Sequence, residues 1–258
     1  TNGGIDLIIS AESYKLGINV ENLTLSGNLD VNGTGNLLNN LLTGNDGNNV
    51  LDGLTGKDTM VGGGGNDIYY TNGLDLIVEN PDHGYDVVIS SVSHSLFENI
   101  EELRLTGTAN LNGVGNSSGN RIVVNAGNNS LEGGFGNDTL DGGIGGDTLI
   151  GGEGADVFLF NSKIGGSNID RISDFDVSCD VILLNSTIFS GFDGGIITGD
   201  QLAFNNLGRA VDGSDRIIYE TDTGALLYDS DGAGVKIAVK FAQLAPWLDL
   251  SIDNFALL

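Results

Sequence analysis

Apolar residues return every nine positions in two stretches of the chain, as Leu51, Met60 and Tyr69 and again as Leu131, Leu140, Leu149 and Phe158. Each sits in a short polar/apolar alternation such as Asp138-Thr139-Leu140-Asp141, and glycines separate one alternation from the next. Alternation predicts a short strand buried on one face. A nine-residue period of strand plus glycine turn predicts a coil that stacks on itself, with the apolar column inside and the preceding residue of each strand facing out. After Phe160 the glycine period stops, and Val235-Lys236-Ile237-Ala238-Val239-Lys240-Phe241 predicts a strand with apolar residues on one face and Lys236 and Lys240 on the other. The reading is an all-β chain: a right-handed parallel β-roll, a solenoid, over residues 1–160, and a β-rich cap over residues 161–258 that closes the open end.

A longer repeat overlies the short one. Leu25-Ser26-Gly27 matches Leu105-Thr106-Gly107, and Asp6-Leu7-Ile8-Ile9-Ser10 matches Asp86-Val87-Val88-Ile89-Ser90, both at an offset of 80 residues. The exits of the two glycine-rich blocks, Asn66-Asp67-Ile68 and Ala155-Asp156-Val157, lie 89 apart, so the second block has gained one whole nonapeptide. Growth by whole turns is expected where each turn stacks autonomously. Residues 1–160 thus read as two tandem units of about 80 residues. Thr1 falls inside a unit, so further units are expected upstream in a parent protein.

Within the second block three consecutive nonapeptides agree, from Gly133-Gly134-Phe135-Gly136-Asn137-Asp138 through Gly142–Asp147 to Gly151–Asp156. Glycine stands where turns need positive φ, and aspartate is sixth. Glycine turns expose carbonyl oxygens and the aspartate adds charge, an oxygen-only donor set that suits Ca2+, which takes six to eight oxygens at about 2.3 to 2.6 Å. Turns two nonapeptides apart share an edge of the coil, so Asp138 should pair with Asp156 as the strongest site. On the other edges Asp147 should pair with Asn129, Asp67 with Asn49, and Asp58 with Asn40, each weaker because an amide replaces a carboxylate. Asp170, Asp174, Asp176 and Asp180 form a further candidate cluster, with plain solvation as the alternative. Asp229-Ser230-Asp231-Gly232 lacks the downstream glutamate of an EF-hand and reads as a tight turn between strands.

Charge agrees with that chemistry. With 35 acidic against 10 basic residues the net charge is -25, which disfavours nucleic acid and anionic membranes and favours cations. The 42 glycines make ordering entropically expensive, and the single cysteine permits no internal disulfide, so a ligand is expected to supply the missing stability. No apolar run approaches the roughly 20 residues of a membrane-spanning helix, so no membrane insertion is expected.

The nonapeptides at 133–159 resemble the repeats-in-toxin (RTX) proteins that Gram-negative type I secretion systems export, and Asp170-Arg171-Ile172-Ser173-Asp174-Phe175-Asp176 resembles the block after the repeats in serralysin-type proteins. The resemblance implies several calcium ions, with carbonyl ligands at Gly133 and Phe135 of one turn and Gly152 and Gly154 of its partner. It also implies the type I secretion machinery as a partner, and a secreted, extracellular protein. Asp253-Asn254-Phe255-Ala256-Leu257-Leu258 is similar to an uncleaved secretion signal, with an ordinary strand as the alternative.

Enzyme signals are thin. Gly115-Asn116-Ser117-Ser118-Gly119 fits a nucleophile elbow, but Ser117 aligns with Leu37 in a degenerate roll turn and no helix is predicted after it. His83 and His94 are the only histidines and both read as surface residues between turns; Cys179 has no basic neighbour to activate it. The expectation is a non-catalytic, calcium-dependent folding and export module at the carboxyl end of a larger protein. A structural or adhesive element of a surface layer or biofilm, and an extracellular polysaccharide-binding module, are the alternatives.

Overall fold

The computed structural model describes residues 3–81, 83–192 and 195–258. Among them the regular structure is β-strand apart from short 3-10 turns such as Gly199–Gln201 and Ile252–Asn254, and no helix is long and apolar enough to cross a membrane. The chain is an all-β, right-handed parallel β-roll, as its periodicity predicts. It forms two compact units, residues 1–107 with 115–120, and residues 108–114 with 121–258.

In the first unit successive strands alternate between two parallel sheets. One runs through Leu7–Ser10, Asn22–Leu25, Leu41–Thr43, Thr59–Val61 and Leu76–Val78. The other runs through Tyr14–Lys15, Gly33–Thr34, Val50–Asp52, Ile68–Thr71, Val87–Ser90 and Glu102–Leu105. Register places Leu23, Leu42, Met60 and Ile77 in one column and Leu51, Tyr69, Val88 and Leu103 in the other, all buried.

The second unit repeats the plan. Arg121–Val123, Thr139–Asp141, Val157–Phe160, Val181–Leu184 and Phe255–Leu257 form one parallel sheet whose core column is Ile122, Leu140, Phe158, Ile182 and Phe255. Asn112–Val114, Ser130–Phe135, Thr148–Glu153 and Asp170–Ile172 begin the other, which continues with Val239–Gln243 in parallel and then Ala225–Tyr228 and Ile217–Glu220 antiparallel. The seven apolar residues of the nine-residue period are fully buried, and the residue before each is half-buried. Truncating one such leucine to alanine costs about 2 to 5 kcal/mol, so the column supplies much of the cohesion of each unit.

Three expectations fail locally. His94 is buried, at 9% exposure, with its ring edge-on to Phe97; burial holds its imidazole below the usual range. Val235 and Ile237 do not join a buried strand face: they are 98% and 88% exposed, because the strand begins only at Val239. Residues 229–238 are an extended loop rather than a tight turn, folded around Asp231, whose Oδ2 accepts the N–H groups of Val235 (3.1 Å) and Lys236 (3.3 Å).

Candidate metal centres in the turns

Each sixth-position aspartate enters a ladder along one edge of the coil. Asn49 donates its backbone N–H to Oδ1 of Asp67 at 2.7 Å, and Asp67 donates to Oδ1 of Asp86 at 2.7 Å. Asn40 donates to Asp58 (2.7 Å) and Asp58 to Asp75 (2.9 Å). In the second unit Asn129 donates to Asp147 (2.6 Å) and Asp147 to Asp170 (3.0 Å), while Asp138 donates to Asp156 (2.9 Å) and Asp156 to Asp180 (3.0 Å). Every predicted pair is thus brought together, side chain to backbone, by a charge-assisted bond.

The second carboxylate oxygen is the informative one. Oδ2 of Asp58, Asp67, Asp147 and Asp156 is buried with no hydrogen-bond partner, although these residues are only 1% exposed. It is directed at the first glycine of its own turn: Gly53, Gly62, Gly142 and Gly151 respectively, and Gly133 for Asp138, positions where an added Cβ would collide with the carboxylate. A buried anionic oxygen left unpaired is costly, so the turn is complete only with a proton or a cation there. Burial pushes Asp58 and Asp147 up to about 6 and Asp67, Asp86 and Asp170 up to about 7; it raises Asp156 and Asp180 as well, with neighbouring carboxylates adding to the shift. The donor set fits a hard cation such as Ca2+: aspartates at the edge, and glycine turns whose backbone is free of side-chain cover.

The backbone meets the same requirement. Gly134, Gly136, Gly152 and Gly154 all have positive φ, and the carbonyls of Gly134 and Gly136 press on Gly152 and Gly154 too closely for any Cβ. Of the expected carbonyl ligands, Gly133 and Phe135 lie in the strand Ser130–Phe135, Gly152 lies opposite Gly134, and Gly154 follows the strand Thr148–Glu153.

Asparagine turns are built differently. The Asn129 Oδ1 accepts the Leu111 N–H (2.9 Å), which turns its NH2 onto the Gly127 carbonyl (2.9 Å) and Asn125 Oδ1 (3.1 Å). Asn49 Oδ1 accepts the Asn45 N–H (2.8 Å), and its NH2 donates to the Val31 carbonyl (2.7 Å). Asn40 likewise spans the Val20 and Glu21 carbonyls, both at 3.1 Å. In these turns the amide supplies donors to carbonyl oxygens and adds no charge.

The ladders continue onto residues that the nine-residue register does not reach. Asp75, Asp86, Asp170 and Asp180 lie 17, 19, 23 and 24 residues beyond their partners instead of 18. The available signal is an aspartate directly before an apolar strand, as in Asp86-Val87-Val88-Ile89. The four aspartates at 170–180 are divided: Asp170 meets Asp147 and Asp180 meets Asp156. Asp174 accepts the N–H groups of Gly151 and Gly152 (3.0 and 2.9 Å), and Asp176 accepts the Ser178 N–H (2.9 Å). Ser117 donates to Glu98 (2.6 Å) in a roll turn, and the exposed Cys179 thiol donates to the Gly154 carbonyl (3.0 Å). Phe255–Leu257 is a strand paired with Ile182–Leu184.

One comparison with known proteins agrees with this geometry. A family model of the RTX calcium-binding nonapeptide repeat, in four copies, matches residues 34–69, 114–149 and 142–159. No match was found among curated protein sequences. The crystal structure of the extracellular lipase LipA from Serratia marcescens aligns at 15% identity over 98% of this chain and 42% of that one, with a TM-score of 0.22, too low to carry an argument. This chain therefore spans less than half of that lipase's length. With its β-roll, its aspartate ladders and the matched nonapeptides, the chain carries an RTX region of calcium-binding repeats.

Proposed function

We propose that this RTX region is a calcium-dependent folding and type I secretion module of a larger extracellular bacterial protein. The observation that carries the reading is the row of buried, unpartnered Oδ2 atoms at Asp58, Asp67, Asp147 and Asp156. Without a cation these carboxylates and a net charge of -25 oppose the fold, so the chain stays open for threading where calcium is scarce. Outside the cell each occupied site adds about 1.4 kcal/mol per decade of calcium above its Kd, and several sites reverse the balance.

In this reading Asp138 and Asp156 hold the tightest ion with carbonyls of Gly133, Phe135, Gly152 and Gly154. Asp147, Asp67 and Asp58 hold weaker ones beside Asn129, Asn49 and Asn40, whose NH2 groups compete for carbonyl oxygens. Residues 1–160 act as two tandem units and residues 161–258 as the cap, with the secretion signal in residues 253–258.

The test is export. A passenger fused ahead of the chain is expressed with and without a type I exporter in calcium-containing medium. The expected result is passenger released only with the exporter, and more slowly when Asp138 and Asp156 are both replaced by alanine. Passenger retained in the cells in both cases would overturn the proposal.

A further inference from the structure

Glu79 interrupts the glycine pattern. Val61 pairs with Val78, so the residue stacked on Gly62, the first of its turn, is a glutamate. Its side chain is buried at 8% exposure, and the hydroxyl of Tyr69, a member of the core column, donates to its Oε1. Glu79 Oε1, Asp67 Oδ2 and the Tyr69 hydroxyl all converge on the place where a Cβ of Gly62 would stand, so glycine there is what leaves them room. Asp86 completes the group: one oxygen from each of Asp67, Glu79 and Asp86 lies within 4.8 Å of the others, and all three residues are buried.

Two observations distinguish this group from an ordinary acidic patch. Asp67 Oδ2, in a residue 1% exposed, has no hydrogen-bond partner although it faces two further carboxylates. His83 is exposed and bonded to the Gly63 carbonyl (2.7 Å), and the salt bridge found among the described residues, Arg104 to Glu102, includes none of the three carboxylates. The matching place in the second unit, against Gly151, is filled by the shorter Asp174, whose two oxygens are taken up by the Gly151 and Gly152 N–H groups. Glu79 instead reaches inward: its Oε1 meets the Tyr69 hydroxyl and Asp67 Oδ2, while its Oε2 accepts the Asn80 N–H (3.2 Å).

We propose that Asp67, Glu79 and Asp86, with the Tyr69 hydroxyl, form a second kind of cation site, which takes a hard divalent ion such as Ca2+ from the inner side of the turn. It goes beyond the sites that stacked nonapeptides make, because its third carboxylate stands where the repeat has glycine. An all-oxygen set of three anionic residues selects Ca2+ over Zn2+, which favours nitrogen and sulfur. A cavity of about 150 Å³ lined by Asn80, His83, Gly84, Asp86, Asn99 and Glu101 borders Asp86 and offers the ion a way in.

Tyr69 makes the site readable with Tb3+, whose emission is sensitised by a tyrosine in contact. In the full chain Tb3+ is expected to give tyrosine-sensitised emission that Ca2+ displaces. Glu79→Gln should remove most of that emission and lower the calorimetric Ca2+ stoichiometry by one ion. Tyr69→Phe should dim the emission with the stoichiometry kept, and Glu132→Gln, at an exposed residue outside the aspartate turns, should leave the emission in place. Should Glu79→Gln fail to fold, Asp86→Asn, which keeps an oxygen for the Asp67 N–H, carries the same test. Undiminished emission and unchanged stoichiometry in the folded variant would overturn the proposal. That result would leave the export reading standing, whereas a chain that binds no Ca2+ at all would defeat the export reading as well.

Discussion

Asp138 donates its backbone N–H to Oδ1 of Asp156 at 2.9 Å, joining one glycine turn to the turn stacked on it 18 residues later. The bond commits one oxygen of Asp156 to the ladder and leaves Oδ2 buried without a partner. In the proposed reading, structure and metal binding are divided between the two oxygens of one side chain.

That division separates two substitutions. Asp156→Ala removes the acceptor of the Asp138 N–H and should cost about 1 to 3 kcal/mol even in chelator. Asp156→Asn keeps an oxygen for that bond and removes the charge, so it should lose a calcium ion while melting in chelator at or above the parent temperature. Thermal melts without calcium at pH 5, where protons on the raised aspartates favour the fold, paired with calorimetric calcium titration at pH 8, read both; equal behaviour of the two variants would contradict the division.

The reverse change should strengthen a site. Asn129 now turns its NH2 onto the Gly127 carbonyl. Asn129→Asp would replace that donor by a charged oxygen beside Asp147, so the variant should bind the ion there more tightly at unchanged stoichiometry. An unchanged affinity would show that the amide does not weaken that site.

Acidity should act oppositely with and without calcium. Asp58 and Asp147 are raised to about 6 and Asp67, Asp86 and Asp170 to about 7, all above their unfolded value near 4, so the folded chain holds more protons between these limits. In chelator this contribution to stability is therefore full below about pH 4 and is lost as pH rises from there through about 6 to 7. Protons and calcium compete for the same oxygens, so calcium affinity should rise over that same interval. Melting temperatures at pH 5 and pH 8, with and without calcium, check both signs.

Glycine at the first position is open to a direct test. A Cβ on Gly151 would collide with the Asp156 carboxylate. Gly151→Ala should weaken calcium at the Asp138 and Asp156 edge by about tenfold or more, about 1.4 kcal/mol. Gly166→Ala, where a Cβ meets nothing, should leave affinity unchanged and lower stability only through the strain of its positive φ.

What the sequence makes legible follows from its periods. Strand alternation and the nine-residue spacing place Leu51, Met60, Tyr69, Leu131, Leu140, Leu149 and Phe158 in the core, and the 18-residue spacing pairs Asp138 with Asp156. Asp75 and Asp86 escape, and Asp170 and Asp180 read only as a separate acidic cluster and not as partners of Asp147 and Asp156, because loops of other lengths carry them into register. Glu79 escapes because it occupies a glycine position, and its partners are set by three-dimensional stacking rather than by spacing. Val235 and Ile237 mislead because alternation reports amphipathicity and not whether anything covers the apolar face. His94 misleads because its aligned residue in the other repeat, Tyr14, is exposed while His94 is not.

The central claim is that calcium at the aspartate-headed turns completes the fold, and a far-UV circular dichroism titration of the chain, from chelator into millimolar calcium, tests it most directly. The account predicts a weakly structured spectrum in chelator at pH 8 and a cooperative gain of β signal on calcium addition, with its midpoint shifted to higher calcium by Asp156→Asn. A full β spectrum with an unchanged melting temperature in chelator would contradict it.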